Sequence, residues 1–60
     1  MTSIHITTTP RMVRGYWVLT STTGSYRKSM GAACRGLDET VELPPGSYEL
    51  YAGNLLVRSY

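Results

Sequence analysis

Thr40-Val41-Glu42-Leu43, Pro44-Pro45-Gly46-Ser47, Tyr48-Glu49-Leu50-Tyr51-Ala52, Gly53-Asn54 and Leu55-Leu56-Val57-Arg58-Ser59 follow one another without a break and carry the clearest strand-and-turn pattern in the chain. Thr40 to Leu43 and Tyr48 to Ala52 alternate polar with apolar residues, the period-two signature of a half-buried strand. Between them proline fixes φ and glycine supplies positive φ, so Pro44 to Ser47 read as a turn. Gly53-Asn54 is a two-residue hairpin signal. With these turns Leu43 faces Tyr48, Val41 faces Leu50, Ala52 faces Leu55, Leu50 faces Val57 and Tyr48 faces Ser59. The apolar face then continues across all three strands without a register slip, which predicts a C-terminal three-strand meander. On the reverse face Glu49 stands opposite Arg58, Glu42 lies beside Glu49, and Tyr51, Leu56 and Tyr60 share the surface.

Working outward, Ser3 to Thr8 alternates and should end before Pro10. Val13 to Thr20 carries Trp17 and Leu19 on one side and Tyr16 and Val18 on the other, as a central strand covered on both faces would. Ser21 to Gly24 reads as a turn with Gly24 in the left-handed position, and Ser25 to Lys28 returns as a short strand. Ser29 can cap a short helix, Met30 to Arg35, that stops at Gly36, with Met30, Ala33, Cys34 and Leu37 along one face. Gly31 weakens that helix, and an irregular crossover is the alternative. The expectation is a mostly β fold: a single small antiparallel sheet of about five strands, with one short helix near residues 30–35.

Length and composition set the limits. Sixty residues leave room for one domain, 1–60, and a chain this short buries only ~60% of its unfolded surface. Twelve Ile, Leu and Val residues, five tyrosines, one tryptophan and no phenylalanine make a small core that leans on aromatic area. Cys34 is the only cysteine, so no internal disulfide is possible and the disulfide-rich secreted class is excluded. No apolar run approaches the ~20 residues of a transmembrane helix. Met1-Thr2-Ser3-Ile4-His5 is followed by neither a basic nor an apolar stretch, so no signal peptide is read and a soluble, intracellular chain is expected.

Charge is unevenly placed. Arg11, Arg14, Arg27, Lys28 and Arg35 precede every acid; Asp38, Glu39, Glu42 and Glu49 then fall within twelve positions, and Arg58 follows. The net charge of +2 is thus +5, then −4, then +1. A pole of either sign would steer a partner of opposite charge. Five of the six cations are arginine, the better side chain for bidentate contact with phosphate or carboxylate.

No residue set announces a reaction. His5 and Cys34 are the only imidazole and thiol; a nucleophilic pair would need a third orienting group, and a lone cysteine among Ala and Gly reads as a small buried hydrophobe. Two ligand types occurring once each do not make a zinc site. Glu42 and Glu49 as acid and base would need a cleft around them, and no glycine pattern precedes a helix in the way that cradles phosphate. No enzyme activity, cofactor or metal is expected. Protein binding is the favoured reading, because Tyr and Arg make interface hot spots; the partner-binding residues expected are Asp38, Glu39, Glu42, Glu49, Tyr51, Arg58 and Tyr60. Nucleic-acid binding is the alternative, with Arg14, Tyr16, Trp17, Tyr26, Arg27 and Lys28 stacking bases and meeting phosphates. It lacks a cold-shock or RRM aromatic box, and +2 is modest for such a role. Self-assembly through charged poles or exposed edge strands is a third possibility.

A sixty-residue chain that starts on Met1, lacks a catalytic motif, is mostly β and segregates its charge resembles the small anti-CRISPR proteins of phages and mobile elements that act on type I systems, the type I-C group among them. The likeness is one of size and style over the whole chain. It implies an inhibitor in the bacterial cytoplasm, a monomer or weak dimer, that binds a subunit of a CRISPR surveillance complex by protein contact and blocks recognition of target DNA. The acidic cluster would then compete for a basic DNA-binding surface.

Overall fold

Period-two alternation yields six strands and no helix in the computed structural model, which describes residues 1–60: β1 (Thr2–Thr8), β2 (Tyr16–Ser21), β3 (Arg27–Ala32), β4 (Leu37–Leu43), β5 (Tyr48–Ala52) and β6 (Leu55–Ser59). The mostly β expectation holds, but the strands form two antiparallel sheets rather than one: β1 with β4, and a four-stranded sheet ordered β3-β2-β5-β6.

In the smaller sheet Ile4 lies opposite Val41 and Thr2 opposite Leu43, which puts Ile4, Ile6, Leu37, Val41 and Leu43 on one side. In the larger one Trp17 lies opposite Ala52 and Leu19 opposite Leu50. These two apolar faces are stacked: Ile6, Leu37, Val41 and Leu43 from one layer bury against Trp17, Leu19, Met30, Tyr48, Leu50 and Ala52 from the other, with Ala33 from a connection. Stacked sheets lie ~10 Å apart, in keeping with a shortest dimension of 15 Å. Two side chains tie the layers by hydrogen bonds. The indole Nε1 of Trp17 donates to the Arg35 carbonyl at 2.6 Å, and Arg58 Nη1 on β6 donates to the Thr7 carbonyl on β1 at 3.0 Å.

The expected C-terminal meander is half right. β5 and β6 form the hairpin, with Ala52 opposite Leu55 and Tyr51 opposite Leu56. Gly53 has φ +62°, as the first central residue of a II′-type turn requires. A β-bulge at Val57 then shifts the register, so Leu50 meets Arg58 rather than Val57, and Glu49 meets Ser59 rather than Arg58. Tyr48 and Tyr60 close the pair by exchanging backbone hydrogen bonds of 3.0 and 2.7 Å, displacing Ser59 from the place expected opposite Tyr48. β4, however, does not pair with β5. Residues 44–47 carry the chain from one layer to the other, held by Tyr48 Oη donating to the Pro44 carbonyl at 2.7 Å. The physical reason is that alternation fixes which side of a strand meets the core. Leu43 and Tyr48 face inward equally well in a hairpin or in a crossing between layers.

The expected helix over 30–35 is not formed. Ser29 to Ala32 extend β3, which pairs with β2 through Val18 opposite Ser29 and Tyr16 opposite Ala32 around a bulge. Gly31 at φ +110° lies outside helical backbone geometry. Met30, Ala33 and Leu37 do face the core, but through a strand, a turn and the next strand; Cys34 is exposed at the turn, not buried. β2 is covered on one face only, since Trp17 and Leu19 are buried while Tyr16 is exposed and Val18 half-buried.

Candidate binding surfaces

The alternation of β4 turns Leu37, Val41 and Leu43 inward and Asp38, Thr40 and Glu42 outward; Glu39, opposite Ile6, shares the inward side yet is exposed. Three of the four acids therefore lie exposed on one strand, with Asp38 and Glu42 separated by roughly 13 Å of β backbone. His5, opposite Thr40, contacts Asp38 Oδ1 through Nε2 at 2.7 Å and the Thr40 hydroxyl through Nδ1 at 3.2 Å. Carboxylate, imidazole and hydroxyl in that order is the arrangement of nucleophilic hydrolases. Here it lies on an open sheet face, with the side chains of His5 and Asp38 58% and 78% exposed, so water competes for each member. The His5–Asp38 contact is the only close approach of a basic side chain to a carboxylate in the molecule, and no Arg or Lys pairs with a carboxylate.

The remaining expected partner-binding residues lie elsewhere. Glu49 and Tyr51 project from the outer face of the four-stranded sheet, where Tyr51 Oη donates to Glu49 Oε1 at 3.3 Å. Arg58, in register with Leu50, points along the inner side of the sheet edge toward Thr7, and also donates to Tyr60 Oη at 3.3 Å. Tyr60 packs against the core. The seven residues thus divide into three places: the β4 acids, the opposite outer face, and the seam between the layers.

Of the six residues considered for nucleic acid, three come together. Arg14, Tyr16 and Arg27 line a shallow hollow on the outer face of the four-stranded sheet, with Val18 and Asn54. A neighbouring hollow adds Tyr51 and shares Val18, Arg27 and Asn54. Arg14 is set there by a close backbone approach: a Cβ on Gly53 would come within 2.6 Å of the Arg14 carbonyl oxygen. Trp17 is fully buried and has no face to offer a base. Tyr26 packs edge-on against Tyr48, with centroids 5.8 Å apart. Lys28, in register with Leu19, belongs to the other side of the sheet. Sequence reading missed Tyr51 and Asn54 as members of this set because Tyr51 joins it through the β2–β5 pairing, a non-local contact without a local signature, and Asn54 through the turn that follows β5.

Two further polar groups are structural in their contacts. Ser21, Thr23 and Ser25 hydroxyls close a triangle of 3.2, 3.3 and 3.0 Å, and Ser21 Oγ accepts from the Tyr26 amide at 3.1 Å, bracing the β2–β3 turn. Both ring nitrogens of His5 are engaged by Asp38 and Thr40, so Cys34 is not its partner. No three of the His, Cys, Asp and Glu side chains converge as a metal site would need. No helix is long and apolar enough to cross a membrane. Compared with known protein families, curated proteins and solved structures, the chain matches none.

Proposed function

We propose that this chain is a non-enzymatic inhibitor that lays the acidic strand β4 on a basic, nucleic-acid-receiving surface of a protein partner and blocks that surface by occupying it. The partner in this reading is a subunit of a type I CRISPR surveillance complex in the bacterial cytoplasm, and the blocked step is recognition of target DNA. One observation carries the reading: Asp38, Glu39 and Glu42 stand exposed on one strand, and none pairs with any of the six Lys and Arg residues of the chain. Exposed ion pairs within a chain contribute only ~0–1 kcal/mol. Leaving these acids without an Arg or Lys partner therefore costs the fold little and keeps their field for a partner, where complementary charge speeds encounter and fixes orientation.

The division of the acids between the two sheets makes the test selective. Binding of the wild-type chain to a purified type I surveillance complex is compared with Glu39→Lys/Glu42→Lys and with Glu49→Lys. The double variant loses affinity by at least about tenfold, ~1.4 kcal/mol, while Glu49→Lys binds as the wild type does. Equal binding by all three proteins, or a loss confined to Glu49→Lys, contradicts the reading.

A further inference from the structure

We infer that the outer face of the four-stranded sheet, opposite the acidic strand, is a binding site for single-stranded nucleic acid, built from Arg14, Tyr16, Arg27, Tyr51 and Asn54. Two tyrosine rings stand on this face in a defined relation. Tyr51 on β5 lies opposite Val18 on β2, and Tyr16 is two residues from Val18 along the same strand. The two tyrosines are therefore diagonal neighbours, ~7–8 Å apart at the backbone and within reach of each other's rings. Tyr16 is 60% exposed and not committed to the core. Two such rings on a sheet can each stack one unpaired base, and stacking of this kind tolerates any sequence.

Charge fits the same occupant. Arg14 and Arg27 line one hollow beside Tyr16, and neither is held by a carboxylate. Their planar forks match phosphate oxygens bidentately. The one acid on this face, Glu49, accepts a hydrogen bond from Tyr51 Oη at 3.3 Å, away from the two arginines' shared hollow. Asn54, exposed at the β5–β6 turn, supplies a donor and an acceptor at the rim for a base edge. The hollow between Val18, Arg27, Tyr51 and Asn54, about 310 Å³, is at the small end of ligand sites and seats one ring-bearing unit at a time. Duplex DNA buries its base faces and would leave both tyrosines without a stacking partner; an acidic peptide would use the arginines and leave the rings idle.

Fluorescence anisotropy with a labelled oligothymidylate at low salt tests the site, because the phosphate contribution is largest there. The wild-type chain binds it, and affinity falls as salt rises. Tyr16→Ala weakens binding about 5- to 150-fold, the range found for loss of one stacked base, and Tyr16→Phe, which keeps the ring, retains it. Arg14→Ala/Arg27→Ala weakens binding and makes the salt slope shallower by ~1.4, two phosphate contacts at ~0.7 each. Lys28→Ala, on the other side of the sheet, and Glu39→Lys/Glu42→Lys, on the opposite layer, leave oligonucleotide binding intact; circular dichroism confirms that each variant is folded. The inference is overturned if no binding is seen at low salt. It is equally overturned if Tyr16→Ala and the arginine variant bind like the wild type, or if duplex DNA or a polyglutamate peptide binds as tightly as the single strand. Because the acidic-strand variants are scored separately, failure here leaves the inhibitor reading standing, and the reverse also holds.

Discussion

Trp17 joins three parts of the molecule at one residue. Its side chain is the largest of those fully buried, and its indole N–H ends on the carbonyl of Arg35 in the β3–β4 connection. Loss of a core tryptophan costs about 3–5 kcal/mol, against a total stability of about 3–9 kcal/mol for a domain of sixty residues. Trp17→Ala is therefore expected to lose about 3–5 kcal/mol, a third or more of the total, read as a large fall in the urea midpoint by far-ultraviolet circular dichroism. Trp17→Phe keeps much of the area but strands the Arg35 carbonyl, and should stay folded with stability lowered by at least about 1 kcal/mol. Gly53 is constrained differently. At φ +62°, and with a Cβ that would stand 2.6 Å from the Arg14 carbonyl oxygen, it leaves no room for a side chain. Gly53→Ala should lower the urea midpoint by the equivalent of more than about 1 kcal/mol, and should disturb the placement of Arg14 with it.

Strands and turns were legible in proportion to how local their partners are. The β5–β6 hairpin could be read from Gly53-Asn54 and its flanking residues, because the turn itself sets the register at Ala52 and Leu55. The bulge at Val57 is not legible, since nothing in Leu55-Leu56-Val57 distinguishes a regular ladder from one with an extra residue, and a regular ladder places Glu49 opposite Arg58 rather than Ser59. The β1–β4 pairing was hidden for another reason: the inward residues Leu43 and Tyr48 suit a hairpin and a layer crossing alike, and the choice depends on Ile4 and Ile6 far away in sequence. The helical spacing of Met30, Ala33 and Leu37 was likewise satisfied by a strand and a turn that point the same residues inward. Arg58 is what the bulge yields in exchange. Turned toward β1, it donates to the Thr7 carbonyl and links the edge of one sheet to the other. Arg58→Ala should cost about 0.5–1.5 kcal/mol by urea unfolding, with amide exchange accelerated in β6, an edge strand, more than in β2, a central one.

At the scale of the whole molecule, the uneven charge of the sequence becomes two surfaces. Asp38, Glu39 and Glu42 could be recognised together from sequence because one strand carries all three; Glu49 could not be set apart from them, because its layer is decided by the crossing at residues 44–47. Arg14, Tyr16 and Arg27 could be gathered as a basic aromatic set, but the fold removed Trp17 to the core and added Tyr51 from β5. A sandwich only 15 Å across in its thinnest direction thus carries an acidic strand in one layer and a basic aromatic hollow on the outer face of the other. Whether the acidic strand excludes DNA is read by a competition titration: labelled target DNA bound to a type I surveillance complex, with this protein added in increasing amounts. DNA should be displaced as the protein saturates the complex, and Glu39→Lys/Glu42→Lys should need at least about tenfold more protein for the same displacement. A ternary complex holding both DNA and the wild-type chain, or no effect on DNA at any concentration, would contradict it.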